Sequence, residues 1–274
     1  MRAPFEYALF EWMGFDIPHA ERYRLIRESG FTGVLLGWDK EEERAFSRAQ
    51  NLPDQARKAG LTVINAHGPM PDTNVLWREG IHGDALLDVF LRCVDDCAEF
   101  GVPSLVVHIS TGFDPPEPND LGLDRIKRLV HRGEERGVTL SFENLRKTAN
   151  LRYALDRIDS SRAGFCFDVG HEHCRTPDED LLADYGHRLT DIHLHDNMGM
   201  VNRDGPDDQH RLPFDGTVNW ARVTKALAAL DYKGPLAFEL TPLGHEGMAP
   251  DTFLRLAYER AVRVGDMIEA AAHA

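Results

Sequence analysis

Histidines, aspartates and glutamates recur in this chain at the ends of short apolar runs. His67 closes T-V-I-N-A-H, His108 follows S-L-V-V, Glu143 stands in T-L-S-F-E-N, and Asp168 closes A-G-F-C-F-D. His171 comes three residues after Asp168, His193 and His195 alternate in I-H-L-H-D-N, and Glu239 stands in P-L-A-F-E-L. Imidazole and carboxylate together suit zinc, manganese, iron or cobalt. Gathering Glu143, Asp168 and Glu239 in one mouth without cations would cost several kcal/mol in repulsion and desolvation, and divalent ions remove that cost. A second acid–imidazole pair, Asp208 and His210, stands in the polar stretch D-D-Q-H-R-L-P-F-D-G-T-V-N-W. From an extended loop both can reach a common ion; taken alone they read as a polar surface loop, and their place directly after I-H-L-H-D-N gives the ligand reading weight. His193 and His195 share a face if their segment is a strand, and the residues alone do not say which one is a ligand.

These residues need a scaffold that brings strand ends together. Eight apolar or β-branched runs start near Tyr7, Gly33, Thr62, Ser104, Thr139, Ala163, Asp191 and Pro235. Helix-like stretches with apolar residues every three or four positions lie between them, such as D-A-L-L-D-V-F-L-R-C-V-D-D-C and L-D-R-I-K-R-L-V-H-R. Gly30, Gly60, Gly101 and Gly137 stand where helices should stop before the next strand. Strand, helix and glycine, repeated without a linker, predict parallel β-α units and a single α/β domain over residues 1–274, a (β/α)8 TIM barrel. An open doubly wound sheet is the alternative. No G-x-G-x-x-G or G-x-x-x-x-G-K-[ST] follows any strand, which removes the usual support for nucleotide binding. In a barrel, the C-terminal strand ends converge on one mouth, where catalysis takes place.

Composition narrows the partners. The 274 residues are 42% hydrophobic, enough for one large core, and the formal net charge of -14 disfavours a phosphate backbone as ligand. Neither a signal-like start nor an apolar run of membrane length occurs, so the expectation is a cytoplasmic protein without membrane contact. Cys93, Cys97, Cys166 and Cys174 lack C-x-x-C spacing and read as buried thiols, with Cys174 a weaker candidate for a soft ligand.

The motifs F-E-N-L at Phe142, F-D-V-G-H at Phe167, I-H-L-H-D-N at Ile192, D-Q-H-R-L-P-F-D-G-T-V-N-W at Asp208 and F-E-L at Phe238 resemble the xylose-isomerase-like barrel superfamily. That superfamily includes sugar epimerases, hydroxypyruvate isomerase, inosose dehydratase and the abasic-site endonuclease IV. The resemblance to the epimerases implies one divalent ion, zinc or manganese, on Glu143, Asp168, His193 and Glu239. It further implies that Glu143 and Glu239 exchange protons with a carbon beside a polarised carbonyl, and that His171 meets substrate oxygens. In that register His193 is the ligand, while His195 touches substrate or supports the ligands and Asp196 orients its neighbours.

The resemblance to endonuclease IV implies more metal, up to three zinc ions, with His67, His108, His171, Asp208 and His210 as added ligands. Departures weigh against that branch. E-N-L-R-K-T-A-N replaces its glycine-rich stretch, H-E-H-C-R-T-P-D-E-D replaces its alanine-rich one, and L-P-F-D-G-T-V-N-W looks like the isomerase branch. The expected substrate is therefore a small sugar or sugar phosphate, isomerised or epimerised, with zinc-cluster phosphodiester hydrolysis as the alternative. Trp12 and Trp38, at the ends of the first two strands, could stack on a sugar ring or simply pack a rim. Arg146, Arg175, Arg203 and Arg211 lie in the loops after strands five to seven, where an anionic substrate would need them and solvated loop arginines are also common. Relatives that assemble as dimers or tetramers imply a homo-oligomer, but no residue pattern specifies an interface.

Overall fold

The computed structural model describes residues 5–37, 51–200 and 207–273. Trp38 and Arg203 lie outside the described residues. All eight expected runs form strands: β1 (Tyr7–Phe10), β2 (Gly33–Gly37), β3 (Thr62–His67), β4 (Ser104–Val107), β5 (Thr139–Glu143), β6 (Ala163–Asp168), β7 (Leu189–His193) and β8 (Leu236–Phe238). The seventh begins two residues before the expected start at Asp191.

Neighbouring strands pair in parallel in the order β7-β6-β5-β4-β3-β2-β1-β8. A parallel bridge between Leu194 and Phe238 joins the two ends, with Leu194 N donating to Ala237 O at 2.8 Å. The sheet therefore closes as a (β/α)8 TIM barrel rather than remaining an open doubly wound sheet.

Between the strands run α1 (His19–Ser29), α2 (Leu52–Lys58), α3 (Ile81–Glu99), α4 (Asp120–Arg136), α5 (Ala149–Leu155), α6 (Val169–Arg175), α7 (Leu181–Tyr185), α8 (Trp220–Ala229) and α9 (Pro250–Ala272). The periodicity of α3 works as its sequence implies: Leu86, Leu87, Phe90, Val94 and Cys97 are buried on one stripe. Burial of a side chain such as Phe90 contributes about 2–3 kcal/mol. The helix starts have chemical causes. The Asn119 side chain accepts from Gly122 N at 2.9 Å to start α4, and Asn219 accepts from Arg222 N at 3.1 Å to start α8. At the other ends, Gly30 and Gly137 cap α1 and α4 at φ 118° and 75°, a region that costs an L side chain strain. No helix among the described residues is long and apolar enough to cross a membrane.

Strand alternation sorts side chains into two environments. On β6, Phe165 and Phe167 join the main apolar core beneath the helices, while Cys166 and Asp168 sit among polar groups of other strands. A polar layer crosses the barrel interior below the mouth. The buried Asp191 of β7 accepts from Asn65 Nδ2 of β3 at 2.7 Å, from Ser104 Oγ of β4 at 2.6 Å, and from Ser141 Oγ of β5. None of these strands neighbours β7, so the bonds span the interior. Asn65, Ser141 and Asp191 each precede by two residues a polar group of the mouth: His67, Glu143 and His193. One layer thus supports the next, in step with the period of two.

Candidate metal centre

Side chains from six strand ends and one loop meet at this mouth. Glu143, at the end of β5, is the hub. Its Oε2 lies 3.1 Å from His67 Nε2 and 2.9 Å from His108 Nε2, and its Oε1 lies 3.1 Å from His171 Nδ1. His193, closing β7, has its Nδ1 3.5 Å from both Glu143 Oε1 and Glu239 Oε1, and 3.9 Å from Asp168 Oδ2. One imidazole is therefore flanked by three carboxylates.

Asp168 closes β6 and begins α6, accepting from His171 N at 2.6 Å. Asn144 clamps the Asp168 backbone, donating from Nδ2 to its carbonyl at 2.9 Å and accepting from its amide at 2.7 Å. The carboxylate also meets His195 Nε2, at 3.1 and 3.2 Å. A Cβ added at Gly170 would overlap the His195 ring, which is why F-D-V-G-H needs a glycine between its aspartate and histidine.

The loop pair arrives as well. Asp208 Oδ2 lies 3.0 Å from His171 Nε2, and its Oδ1 lies 3.4 Å from His210 Nε2 and 3.6 Å from His195 Nε2. His210 holds a left-handed backbone at φ 49°, a strained conformation for a residue with a side chain. Two hydrogen bonds fix it across the barrel: Nδ1 with Glu239 O at 3.1 Å, and its own carbonyl with Thr241 N at 2.8 Å.

Asp196 is the device that folds this loop back. Fully buried, it accepts from Asn197 N, Phe214 N, Val218 N and Trp220 Nε1 at 2.9–3.0 Å. A Cβ at Gly216 would run into Asp196 and the Asn197 carbonyl, so L-P-F-D-G-T is matched to the aspartate of I-H-L-H-D-N.

Electrostatics in the metal-free chain follow from crowding. Burial works to raise the Glu143 carboxyl, but the His108 and His193 imidazoles hold it well below the usual range. Asp208 is likewise held well below its ordinary value: burial opposes ionisation, and His171 and His210 overcome it. Burial favours neutral His171 and His193, yet Asp168 and Asp208 raise the first, and Cys166, Glu239 and Glu143 the second, well above an ordinary imidazole. His210 is pushed up to about 9, burial being outweighed chiefly by Asp208. His108 is lowered by burial.

The residues fit a divalent cation. Among the described residues, both ring nitrogens of His193, Nδ1 of His195 and Oδ1 of Asp208 are buried without a hydrogen-bond partner, a cost that a bound ion would remove. Among the described residues, the donor atoms of Asp168, His193 and Glu239 lie within 4.8 Å of one another, as do those of His67, His108 and Glu143 and those of His195, Asp208 and His210. Nitrogen and carboxylate oxygen dominate, as suits zinc or manganese.

Two members of these clusters stand outside the ligand set that the resemblance implies. His195 was expected only to support ligands or touch substrate, yet its ring also falls within reach in the clusters Asp168–His171–His195 and His195–Asp208–His210. Cys166 falls within reach of Glu143 and His193. Its position two residues before Asp168 on β6 carried that signal, although burial pushes its thiol well above the ordinary range. Cys93, Cys97 and Cys174 are free, buried thiols outside the potential metal clusters found among the described residues.

Above the cluster opens a cavity of about 560 Å³. His67, His108, Glu143, His171, Asp208, His210 and Glu239 reach its wall, while Asp168, His193 and His195 lie deeper. Trp12, 47% exposed, stands on the rim with Phe10 and Met70. Arg146 and Arg175 also line it; Arg211 instead bonds Gln209 Oε1 at 2.8 Å.

Comparisons with known proteins agree with this architecture. The chain is 28% identical over 297 aligned positions to the uncharacterized protein y4fM of Sinorhizobium fredii, covering 95% of this chain and 92% of that one. The fold is similar to 3-keto-D-glucoside 4-epimerase, YcjR, from E. coli, at a TM-score of 0.70 and 18% identity, with 94% and 98% of the two chains covered. It is also similar to D-psicose 3-epimerase, solved with D-tagatose, from Clostridium cellulolyticum H10, at a TM-score of 0.71 and 12% identity, with 97% and 99% covered. The family model of the xylose isomerase-like TIM barrel matches residues 23–254, and the chain belongs to that family.

Proposed function

We propose that the protein is a divalent-metal-dependent isomerase or epimerase of a sugar or sugar phosphate. The observation that carries this reading is the position of Glu143 and Glu239, each with a carboxylate oxygen 3.5 Å from the one imidazole nitrogen, His193 Nδ1, and both exposed to the cavity. The epimerases of similar fold support the same class of chemistry.

Glu143, Asp168, His193 and Glu239 would hold the ion, which when bound supplies Lewis-acid polarisation of a carbonyl and its neighbouring hydroxyl. The protein groups do the rest. Glu239 has no side-chain hydrogen bond to a described residue, only longer contacts of 3.5 Å with His193 and 3.8 Å with His210, and its carboxylate would take the proton from carbon. Glu143, tied to His67 and His108, is fixed in place to return a proton from another direction, a proton that would reach its carboxylate from His67 Nε2, 3.1 Å away. His171 donates or accepts at the cavity wall, and Trp12 offers a ring face.

A test is chromatographic analysis of ketoses, ketose phosphates and inososes incubated with the metal-loaded protein. An isomer or epimer that accumulates only with metal supports the proposal, and no product across the panel at full metal occupancy counts against it.

A second reading, a zinc-cluster phosphodiesterase, is favoured by the additional donor clusters at His67–His108–Glu143 and His195–Asp208–His210. About three zinc ions per chain together with cleavage of an abasic duplex would support it. A single ion, or no cleavage by fully loaded protein, would exclude it.

A further inference from the structure

We infer that the side of the cavity formed after β5 and β6 is a subsite for an anionic group of the substrate, a phosphate or a carboxylate, with Arg146 as its principal contact. This rests on the cavity being the substrate site. Arg146 is largely buried, with 16% of its side chain exposed. Its Nη2 donates to Asp207 Oδ2 at 2.9 Å, and its guanidinium lies over the Phe113 ring, 4.0 Å from the centroid. Asp207 is itself buried and is not part of the cavity wall, whereas Arg146 and Phe113 are. The acid therefore grips the guanidinium from outside the cavity while the ring supports one face.

A guanidinium has five N–H donors in a rigid fork, and Asp207 is the acceptor of Arg146 among the described residues. The pairing fixes the arginine without using up its capacity, which is the condition for bidentate recognition of an oxyanion.

A second cation stands on the same wall. Arg175 Nη2 donates to Asp208 Oδ2 at 2.8 Å, and its Nε is buried with no hydrogen-bond partner among the described residues. Two half-satisfied guanidinium groups line a cavity in a protein of net charge -14. The acids of the candidate centre do not require Arg146, because its partner Asp207 is not in any of the potential metal clusters. An arginine serving only to pin its loop would leave ligand affinity unchanged when replaced by an apolar side chain of similar length. An anion contact would not.

The test is calorimetric binding of D-fructose, D-fructose 6-phosphate and D-fructuronate to the metal-loaded full chain, wild type and Arg146→Met, with metal content measured in parallel. The expected result is that one or both charged sugars bind about tenfold or more tightly than fructose, and that Arg146→Met removes this preference at unchanged metal content. The better charged arm identifies phosphate or carboxylate. Arg146→Lys, which keeps the charge opposite Asp207 but not the fork, is expected to lose most of the preference as well, and it covers the case in which the methionine variant does not fold. Equal affinity for all three sugars, no binding of either charged sugar, or a preference that survives both substitutions overturns the inference. Affinity and product are measured separately, so failure of the isomerase reading shows as absence of product whatever the affinities are.

Discussion

The imidazole of His195 is stacked on that of His210, with ring centroids 4.1 Å apart and planes inclined by 12°. Its Nε2 faces Asp168, whereas among the described residues neither ring nitrogen of His193 is hydrogen-bonded to a carboxylate. Two histidines separated by a single leucine thus have different environments. His195 holds Asp168, while His193 stands among the carboxylates of Glu143, Asp168 and Glu239 at 3.5–3.9 Å.

That difference sets the first prediction. His193→Ala is expected to leave the purified protein without its tightly held ion. His195→Ala is expected to retain the ion with affinity loosened about 10–100-fold, as when a group supporting a ligand is removed. Elemental analysis and competition with a chelator measure both. Equal loss of metal in the two variants would contradict the distinction.

Asp196 offers a test of the loop rather than the ion. Four donors converge on its buried carboxylate. Asp196→Asn replaces one acceptor oxygen with a donor facing other donors, and is expected to destabilise the fold by about 2–4 kcal/mol. The loss should appear as a lowered denaturant midpoint, and metal binding should weaken too, because Asp208 and His210 lie in the loop that Asp196 anchors. A midpoint unchanged from wild type would show that this network contributes little.

Protonation supplies a third prediction. His210 titrates near 9 in the metal-free fold against 6.5 ordinarily, and His171 and His193 are also raised. A raised histidine stabilises the folded state fully below its unfolded value, and that stabilisation is lost as pH climbs through the folded value. The metal-free protein should therefore lose stability between about pH 6.5 and 9. Ligation needs neutral imidazole, so metal binding in this window should release protons and tighten as pH rises. Calorimetry in buffers of different ionisation enthalpy counts the protons. An absence of proton release near neutral pH would mean that the histidines are already neutral.

Much of this was legible in the residues, for a physical reason. Strands buried on both faces write themselves as apolar runs, so a histidine or carboxylate at the end of such a run stands out; His67, Glu143 and Asp168 are the clear cases. Gly30 and Gly137 cap their helices as expected, while Gly60 and Gly101, also at positive φ, fall one residue beyond the caps. The interior layer of Asn65, Ser104, Ser141 and Asp191 was not legible, because small polar residues inside a strand look like ordinary alternation until the barrel closes. The gap between Arg146 and the other loop arginines was hidden in the same way. Only the fold brings Asp207 behind Arg146 and Phe113 beneath it.

The proposed chemistry is proton transfer at a carbon beside a carbonyl, dependent on a bound divalent ion. Its most direct measurement is incubation of ketoses and ketose phosphates with metal-loaded and chelator-treated protein in deuterated water, followed by NMR of the recovered sugar. The prediction is deuterium at the carbon adjacent to the carbonyl of at least one sugar, lost on chelation and restored by adding metal back. No exchange across the panel with the centre fully loaded, or exchange indifferent to chelation, would contradict it.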